Sequence, residues 1–230
     1  EVNGAVSGVL LDLDGTLLDH AGAAAGAVAE WARTIPGWSG DDDEAVRLWR
    51  DLEARWFAVF TRGGCSFAEQ RRRRVRGFHP SLADRDDEAA DAVFADYLIR
   101  YEARWAAAPG AAGLIEHALR AGLTVGVLTN GDEQQQQRKL ARIGLARPGL
   151  HLFASSALGV AKPDVRAFQL ACAGLGTHPG ETVMVGDDLA TDALGARAAG
   201  LAAVHLSRDD PAPGPWTVRS LAEVETLLLG

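Results

Sequence analysis

The stretch Val6-Ser7-Gly8-Val9-Leu10-Leu11-Asp12-Leu13-Asp14-Gly15-Thr16 decides how this chain is to be read. Val6 to Leu13 is short and nearly continuously apolar, without the alternation of a half-exposed strand. That suits a strand buried on both faces of a parallel sheet. The run ends in two aspartates. Asp12 and Asp14 are two apart, so while the chain stays extended their carboxylates point to one side. Gly15 then allows a sharp turn, and Thr16 can hydrogen-bond locally to hold it.

Outward from this stretch the pattern recurs. Leu123 to Leu128 runs into Thr129-Asn130-Gly131, and Thr182 to Val185 into Gly186-Asp187-Asp188. Leu201 to Leu206 reads as a fourth strand and His151 to Ser155 as a short fifth. Helical patterns lie between them, over Ala111 to Ala121, Glu133 to Ile143, Val165 to Gly174 and Asp192 to Ala199. Strands alternating with helices predict an α/β fold, a doubly wound parallel sheet. Residues 20–108 break that rhythm with helical patterns alone: Ala21 to Thr34, Asp43 to Arg62, Phe67 to Arg76 and Asp86 to Ala107. Acidic starts such as Asp41-Asp42-Asp43-Glu44 suit helix N-termini. The segment is too long for one crossover, so it predicts an α-helical domain inserted after the first strand. Residues 1–19 and 109–230 then form the core, with Pro109-Gly110 marking the return.

In a parallel α/β sheet, ligands bind beyond the carboxyl ends of the strands. Three of these strands end in residues of one chemical theme. Asp12 and Asp14 repel each other unless a cation intervenes. Asp187 and Asp188 arrive from another strand end, and Asp192 follows one helical turn later. Several oxygen ligands with no His or Cys among them predict a hard ion, magnesium before zinc. Thr129, Asn130 and Gly131 supply a hydroxyl, an amide and backbone N–H groups at a turn preceding a helix, where an anion is welcome. Lys162, in Ala161-Lys162-Pro163-Asp164, adds a compact positive charge on a turn stiffened by proline. Phosphoryl transfer asks mainly for positioning and charge neutralisation, and these parts supply both.

Together, Asp12-Leu13-Asp14-Gly15-Thr16, Thr129-Asn130-Gly131, Lys162-Pro163 and Gly186-Asp187-Asp188-Leu189-Ala190-Thr191-Asp192 resemble the four motifs of the haloacid dehalogenase superfamily. The insertion resembles the helical cap of its phosphoglycolate phosphatase and nucleotidase branch. The resemblance implies a Rossmann-like core and Mg2+-dependent hydrolysis of a small phosphorylated metabolite. Asp12 would be the nucleophile and form an aspartyl-phosphate; Asp14 would protonate the leaving group and then activate water. Thr129 and Asn130 would hold phosphoryl oxygens, with Gly131 beside them, and Lys162 would neutralise Asp12 and the phosphate. Asp12, the Asp14 backbone carbonyl and Asp187 would bind the metal, with Thr16, Asp188 and Asp192 in support; Asp188 stands where the family often has Ser or Thr. True dehalogenases resemble the pattern with the second aspartate replaced, commonly by Tyr, so the intact Asp14 argues against that branch. A phosphoglucomutase-like transfer is not excluded. A non-catalytic binding protein would be expected to have lost Asp12, Asp14 or Lys162.

Bulk properties narrow the rest. The 230 residues are 47% hydrophobic and 23% charged, with a net charge of -8, which disfavours a polyanionic nucleic-acid partner. No apolar run is long enough to span a bilayer. Glu1 to Gly8 lacks the basic start and apolar stretch of a signal peptide, so a cytoplasmic location is expected, as a monomer or homodimer. Cys65 and Cys172 have no metal-ligand spacing and read as reduced thiols. Arg71-Arg72-Arg73-Arg74 cannot form one helix face, since successive residues turn by about 100°; solvated arginines paired with Glu69 and the acidic segments are expected. Trp31, Trp38, Trp49, Trp56 and Trp105, with Phe57 and Phe60, are expected to form the core of the helical insertion. Of the six histidines, only His20, near the hinge, invites attention.

Overall fold

A computed structural model describes residues 6–208 and 216–230. The chain divides into two units, one of Glu1–Asp19 with Ala106–Gly230 and the other of His20–Trp105. The first is built on six strands: β1 (Gly8–Leu11), β2 (Thr124–Thr129), β3 (Leu150–Ala154), β4 (Thr182–Gly186), β5 (Ala202–Leu206) and β6 (Thr217–Val218). Their order across the sheet is β3-β2-β1-β4-β5-β6 and every pairing is parallel. This is the Rossmann-like, doubly wound sheet expected from the strand and helix pattern.

All four residues of β1 are buried, because the strand lies between β2 and β4 in the middle of the sheet. Val9, Leu10 and Leu11 are fully buried, and each such side chain contributes about 1.5–3 kcal/mol. Register then decides what sits beyond the strand ends. Leu11 is level with Val127 of β2 and Val185 of β4, so Asp12, Thr129 and Asp187 emerge at one edge. The strand order reverses at β1, which is where a doubly wound sheet opens its crevice.

Three details depart from the sequence reading. Strand β6 and the helix Leu221–Leu229 are additions to it; the strand is only two residues long, below what periodicity can detect. The helix expected over Asp192 to Ala199 is a π-helical turn, Leu189–Leu194, followed by one helical turn, Gly195–Ala198. Such wide turns cluster at functional sites. The last helix of the insertion stops at Ala103. Beyond it the chain pairs with the outgoing segment, Asp19 N–H donating to Ala106 O (3.1 Å) and Ala108 N–H to Leu17 O (2.8 Å). Residues 106–108 therefore belong with the sheet.

The second unit contains four α-helices, His20–Ala32, Asp42–Thr61, Phe67–Phe78 and Asp87–Ala103, and a short 3-10 turn, Pro80–Leu82. Asp41, Ser66 and Asp86 cap three of them, each accepting a backbone N–H three residues on. Its core is aromatic: Trp49 lies 5.2 Å from Trp31 and 4.6 Å from Tyr97, and Trp31 lies 4.8 Å from Phe78. Trp105 is buried as expected, but Trp38, Trp56, Phe57 and Phe60 are only half-buried. The helix Asp42–Thr61 has 20 residues against 13 in His20–Ala32, so its later turns outrun the partner that buries Trp49. The arginine run behaves mostly as expected. Arg72 pairs with Asp87 and Asp91, Arg73 with Glu69 and Arg76 with Asp87. Arg74 is the exception: it is buried, 2.8 Å from Glu53 and over the face of Trp49. His20 bonds Tyr101 Oη at 2.6 Å and faces Glu53 at 3.3 Å. No helix among the described residues is long and apolar enough to cross a membrane.

Candidate active site

Asp12 ends β1 with its N–H donating to Val185 O of β4 (2.8 Å), which fixes the carboxylate at the strand edge. Lys162 Nζ donates to Asp12 Oδ1 and to Asp192 Oδ1, both at 2.6 Å. The lysine and Asp192 are each 2% exposed and Asp12 6%, so the group exchanges little with water. Burial pushes the Asp12 carboxyl well above the usual carboxylate range, and Asp192 and Asp187 add to this against the pull of Lys162. Asp187 is raised too, first by burial and then by Asp192. Burial works against the Lys162 charge, but Asp12 and Asp192 outweigh it and hold the ammonium above its ordinary value.

Thr16 Oγ1 donates to Asp187 Oδ1 at 3.1 Å, so the threonine of the first turn orients a carboxylate from the end of β4. Two residues missed in the sequence steady the same corner. His205 Nε2–H donates to the Asp187 carbonyl (3.0 Å), and Arg208 donates to the carbonyls of Gly15 (2.5 Å) and Thr16 (3.2 Å). Gly15 is needed twice over. Its φ is +96°, and a Cβ there would collide with the Asp187 carboxylate. Gly15→Ala should therefore cost about 1 kcal/mol or more in backbone strain and displace Asp187. If Asp187 helps to hold a divalent cation, the affinity for that ion, read from thermal melting against its concentration, should weaken at least about tenfold, and an unchanged affinity would show that Asp187 holds no cation.

The oxygens of Asp12, Asp187 and Asp192 lie within 4.8 Å of one another. Three carboxylates around one ammonium leave an excess of negative charge that a divalent cation would neutralise. The donor set, all oxygen, fits a hard ion. Asp192 has both oxygens engaged, one with Lys162 and one accepting the Asp188 N–H at 3.2 Å, so it supports rather than leads. Asp188 does not join the cluster: its carboxylate accepts the Thr191 N–H (2.7 Å) and caps the π-helical turn. The Asp14 side chain also stays outside. Lys139 Nζ holds its two oxygens at 2.6 and 2.7 Å, and Gln136 Nε2 donates to Oδ2 at 2.9 Å.

The second motif is bound into the fold more than its sequence suggests. The Asn130 side chain exchanges two hydrogen bonds with the Lys162 backbone, its Nδ2 donating to Lys162 O and its Oδ1 accepting Lys162 N–H, both at 2.8 Å. It staples the lysine turn to the end of β2 with one of its two Nδ2 protons and the amide oxygen. The Gly131 N–H donates to Ser155 Oγ at 3.0 Å and is engaged likewise. Thr129 is 1% exposed and its Oγ1 accepts from Gln136 Nε2 at 2.7 Å, which leaves its own proton to donate. Thr129 keeps the hydroxyl proton expected of it, and Asn130 keeps the second of its two Nδ2 protons.

A parallel sheet with an aspartate–lysine–aspartate cluster at its crevice defines a hydrolase core. The chain belongs to the haloacid dehalogenase-like hydrolase family, whose model matches residues 6–200. Among curated relatives, it is 37% identical over 136 residues to the phosphoserine phosphatase of Thermus thermophilus, covering 57% of this chain and 53% of that protein. It is 41% identical over 127 residues to the pyrimidine 5'-nucleotidase YjjG of Escherichia coli (52% and 56%). A third relative is the (S)-2-haloacid dehalogenase 4A of Burkholderia cepacia, 32% identical over 139 residues (58% and 60%). The chain spans about half the length of the first two. Among solved structures, the HAD-hydrolase YfnB of Bacillus subtilis bound to magnesium matches with a TM-score of 0.79 over 98% of this chain and 100% of that one, at 22% identity, a likeness of fold.

Proposed function

We propose that the chain is a magnesium-dependent phosphatase that hydrolyses a small phosphomonoester through an aspartyl-phosphate on Asp12. The observation that carries this reading is the second carboxylate. Asp14 is present and held by Lys139 and Gln136, with Gln136 linking it to the Thr129 hydroxyl. A reaction at phosphorus needs a proton donor for the leaving oxygen and a base for water, and one carboxyl can serve as both. An ester to carbon of the dehalogenase kind has no use for an ammonium-held acid at that position. Two of the curated relatives are named for small phosphorylated substrates, a phosphoserine phosphatase and a nucleotidase.

In this reading Asp12 Oδ1 rests on Lys162 and Oδ2 is the oxygen left to attack. Lys162 stays charged and offsets the negative charge gathering on Asp12 and the phosphoryl group. Thr129 donates its hydroxyl to a phosphoryl oxygen. Asp12 and Asp187 would hold magnesium with the Asp14 backbone carbonyl, while Asp192 keeps Lys162 in place. When bound, the ion would supply charge neutralisation and alignment of the phosphoryl oxygens. The helical unit, His20–Trp105, is taken as the element that selects the substrate, a free metabolite of the cytoplasm.

Hydrolysis of para-nitrophenyl phosphate that stops with EDTA and returns with magnesium tests the proposal directly. A second readout is thermal. Asp12 and Asp187 have folded-state values above their unfolded ones. Each therefore withdraws stability as pH rises from the ordinary carboxylate range through its folded value. A cation that binds the ionised pair restores that stability. At a hundredfold excess over Kd the gain is about 2.7 kcal/mol, several degrees in Tm, shrinking as protons compete at lower pH. A Tm at pH 8 indifferent to magnesium, with activity indifferent to EDTA, would exclude the metal.

A further inference from the structure

The helix Glu133–Arg142 starts two residues after the second motif and is capped by Asp132, whose side chain accepts the Gln135 N–H at 2.9 Å. Gln136 and Lys139 are three apart on this helix and so share a face. They are 1% and 5% exposed, although both belong to residue types that rarely leave water. Both converge on Asp14. Lys139 Nζ lies 2.6 Å from Oδ1 and 2.7 Å from Oδ2, and Gln136 Nε2 divides its two protons between Asp14 Oδ2 (2.9 Å) and Thr129 Oγ1 (2.7 Å). Lys139 is buried while the Asp14 side chain stays 25% exposed, and an ion pair so placed adds little stability, since desolvating the ammonium offsets much of a Coulomb attraction that water screens. Its use is orientation: a bidentate ammonium leaves a carboxylate little rotational freedom.

We infer that Lys139 and Gln136 are positioning residues for Asp14, holding its carboxyl group beside the Thr129 hydroxyl in the direction from which it meets the leaving oxygen and, later, water. The inference rests on the phosphatase reading. In the first half-reaction Asp12 forms an O–P bond, the P–O bond to the leaving group breaks, and the Asp14 proton passes to that oxygen, releasing an alcohol. In the second, water attacks phosphorus and gives its proton to Asp14, while the Asp12–phosphorus bond breaks, releasing inorganic phosphate and restoring both aspartates. Throughout, the ammonium can stay on one Asp14 oxygen while the other gains and loses the proton. Gln136 joins the group that moves the proton to the group that holds the phosphate.

Leaving-group dependence separates this role from a structural one. In Lys139→Met, kcat/KM for an alkyl phosphate such as glycerol phosphate should fall at least about tenfold further than for para-nitrophenyl phosphate, whose phenolate leaves without a proton. Lys139→Arg, which can also grip a carboxylate with two donors, should restore most of the loss. A drop of equal size on both substrates, or one confined to KM, would overturn the inference. If Lys139→Met fails to fold, Gln136→Leu makes the same comparison, with a smaller but still leaving-group-dependent loss expected and a uniform loss again overturning it. Wild-type protein inactive on both phosphates would instead bring down the phosphatase reading itself.

Discussion

Replacing Asp12 with Asn should reduce hydrolysis of para-nitrophenyl phosphate by about four orders of magnitude or more while leaving the fold intact. The two side chains have one shape, and the amide oxygen can still accept from Lys162 Nζ. What is lost is the anionic oxygen that, in the proposed mechanism, attacks phosphorus. The stability change should be small or favourable. Burial and the neighbouring aspartates raise the Asp12 pKa, so its site disfavours the charged form, which Asn does not have. Lys162 keeps Asp192 as a partner at 2.6 Å. Circular dichroism and thermal melting would confirm the fold, and mass spectrometry would exclude deamidation back to Asp. Labelled phosphate retained on acid-quenched wild type but absent from the variant would locate the intermediate. Substantial turnover by a verified Asp12→Asn protein would remove Asp12 from the nucleophile's role.

Lys162→Met is the second large effect, and it combines catalysis with stability. The ammonium is 2% exposed and carries two carboxylates. Removing one side of a buried charge group leaves the rest uncompensated, at a cost of about 3–5 kcal/mol. The sign of the pH dependence follows. In the wild type the folded value of Lys162 lies above its unfolded one, so its contribution is fully present below the ordinary lysine range and is lost only as pH rises through the folded value. From mildly acidic to mildly alkaline pH it is constant. In the variant, Asp12 ionises without its ammonium partner, so its deficit relative to wild type should grow with pH and shrink on acidification. A deficit that does not change with pH would mean that the loss comes from packing rather than charge. Activity should fall about a hundredfold or more, since a fixed charge aimed at a developing anion is a large electrostatic contribution.

Much of this site is legible in the sequence, for reasons that are local. Asp12 and Asp14 are read from their place after an apolar run, and Asp187 from the same signal at β4. Thr16 is expected to hydrogen-bond locally at the first turn, and its hydroxyl instead reaches Asp187 at 3.1 Å, 171 positions on. Lys162 is read from a lysine before proline, and its side chain lies on Asp12 and Asp192. Asn130 illustrates what the local signal omits. Its position beside Thr129 suggests a phosphate ligand, while one of its two amide protons and its amide oxygen tie down the Lys162 backbone 32 positions away. The local signal misleads at Trp56, Phe57 and Phe60. Their residue type says core, while their place on a helix longer than its neighbour leaves them half-buried.

The opening stretch alone determined that a buried parallel strand delivers two carboxylates to a ligand crevice, because burial on both faces and the two-residue period of a strand are properties of consecutive residues. Tertiary structure alone decided what each carboxylate does there. Asp12 meets Lys162 and Asp14 meets Lys139, partners 150 and 125 positions away in the chain. The register of β1 with β2 and β4 sets these pairings. No sequence period spans such distances, so two aspartates alike in the sequence are parted by the cations the fold brings to them, Lys162 for one and Lys139 for the other.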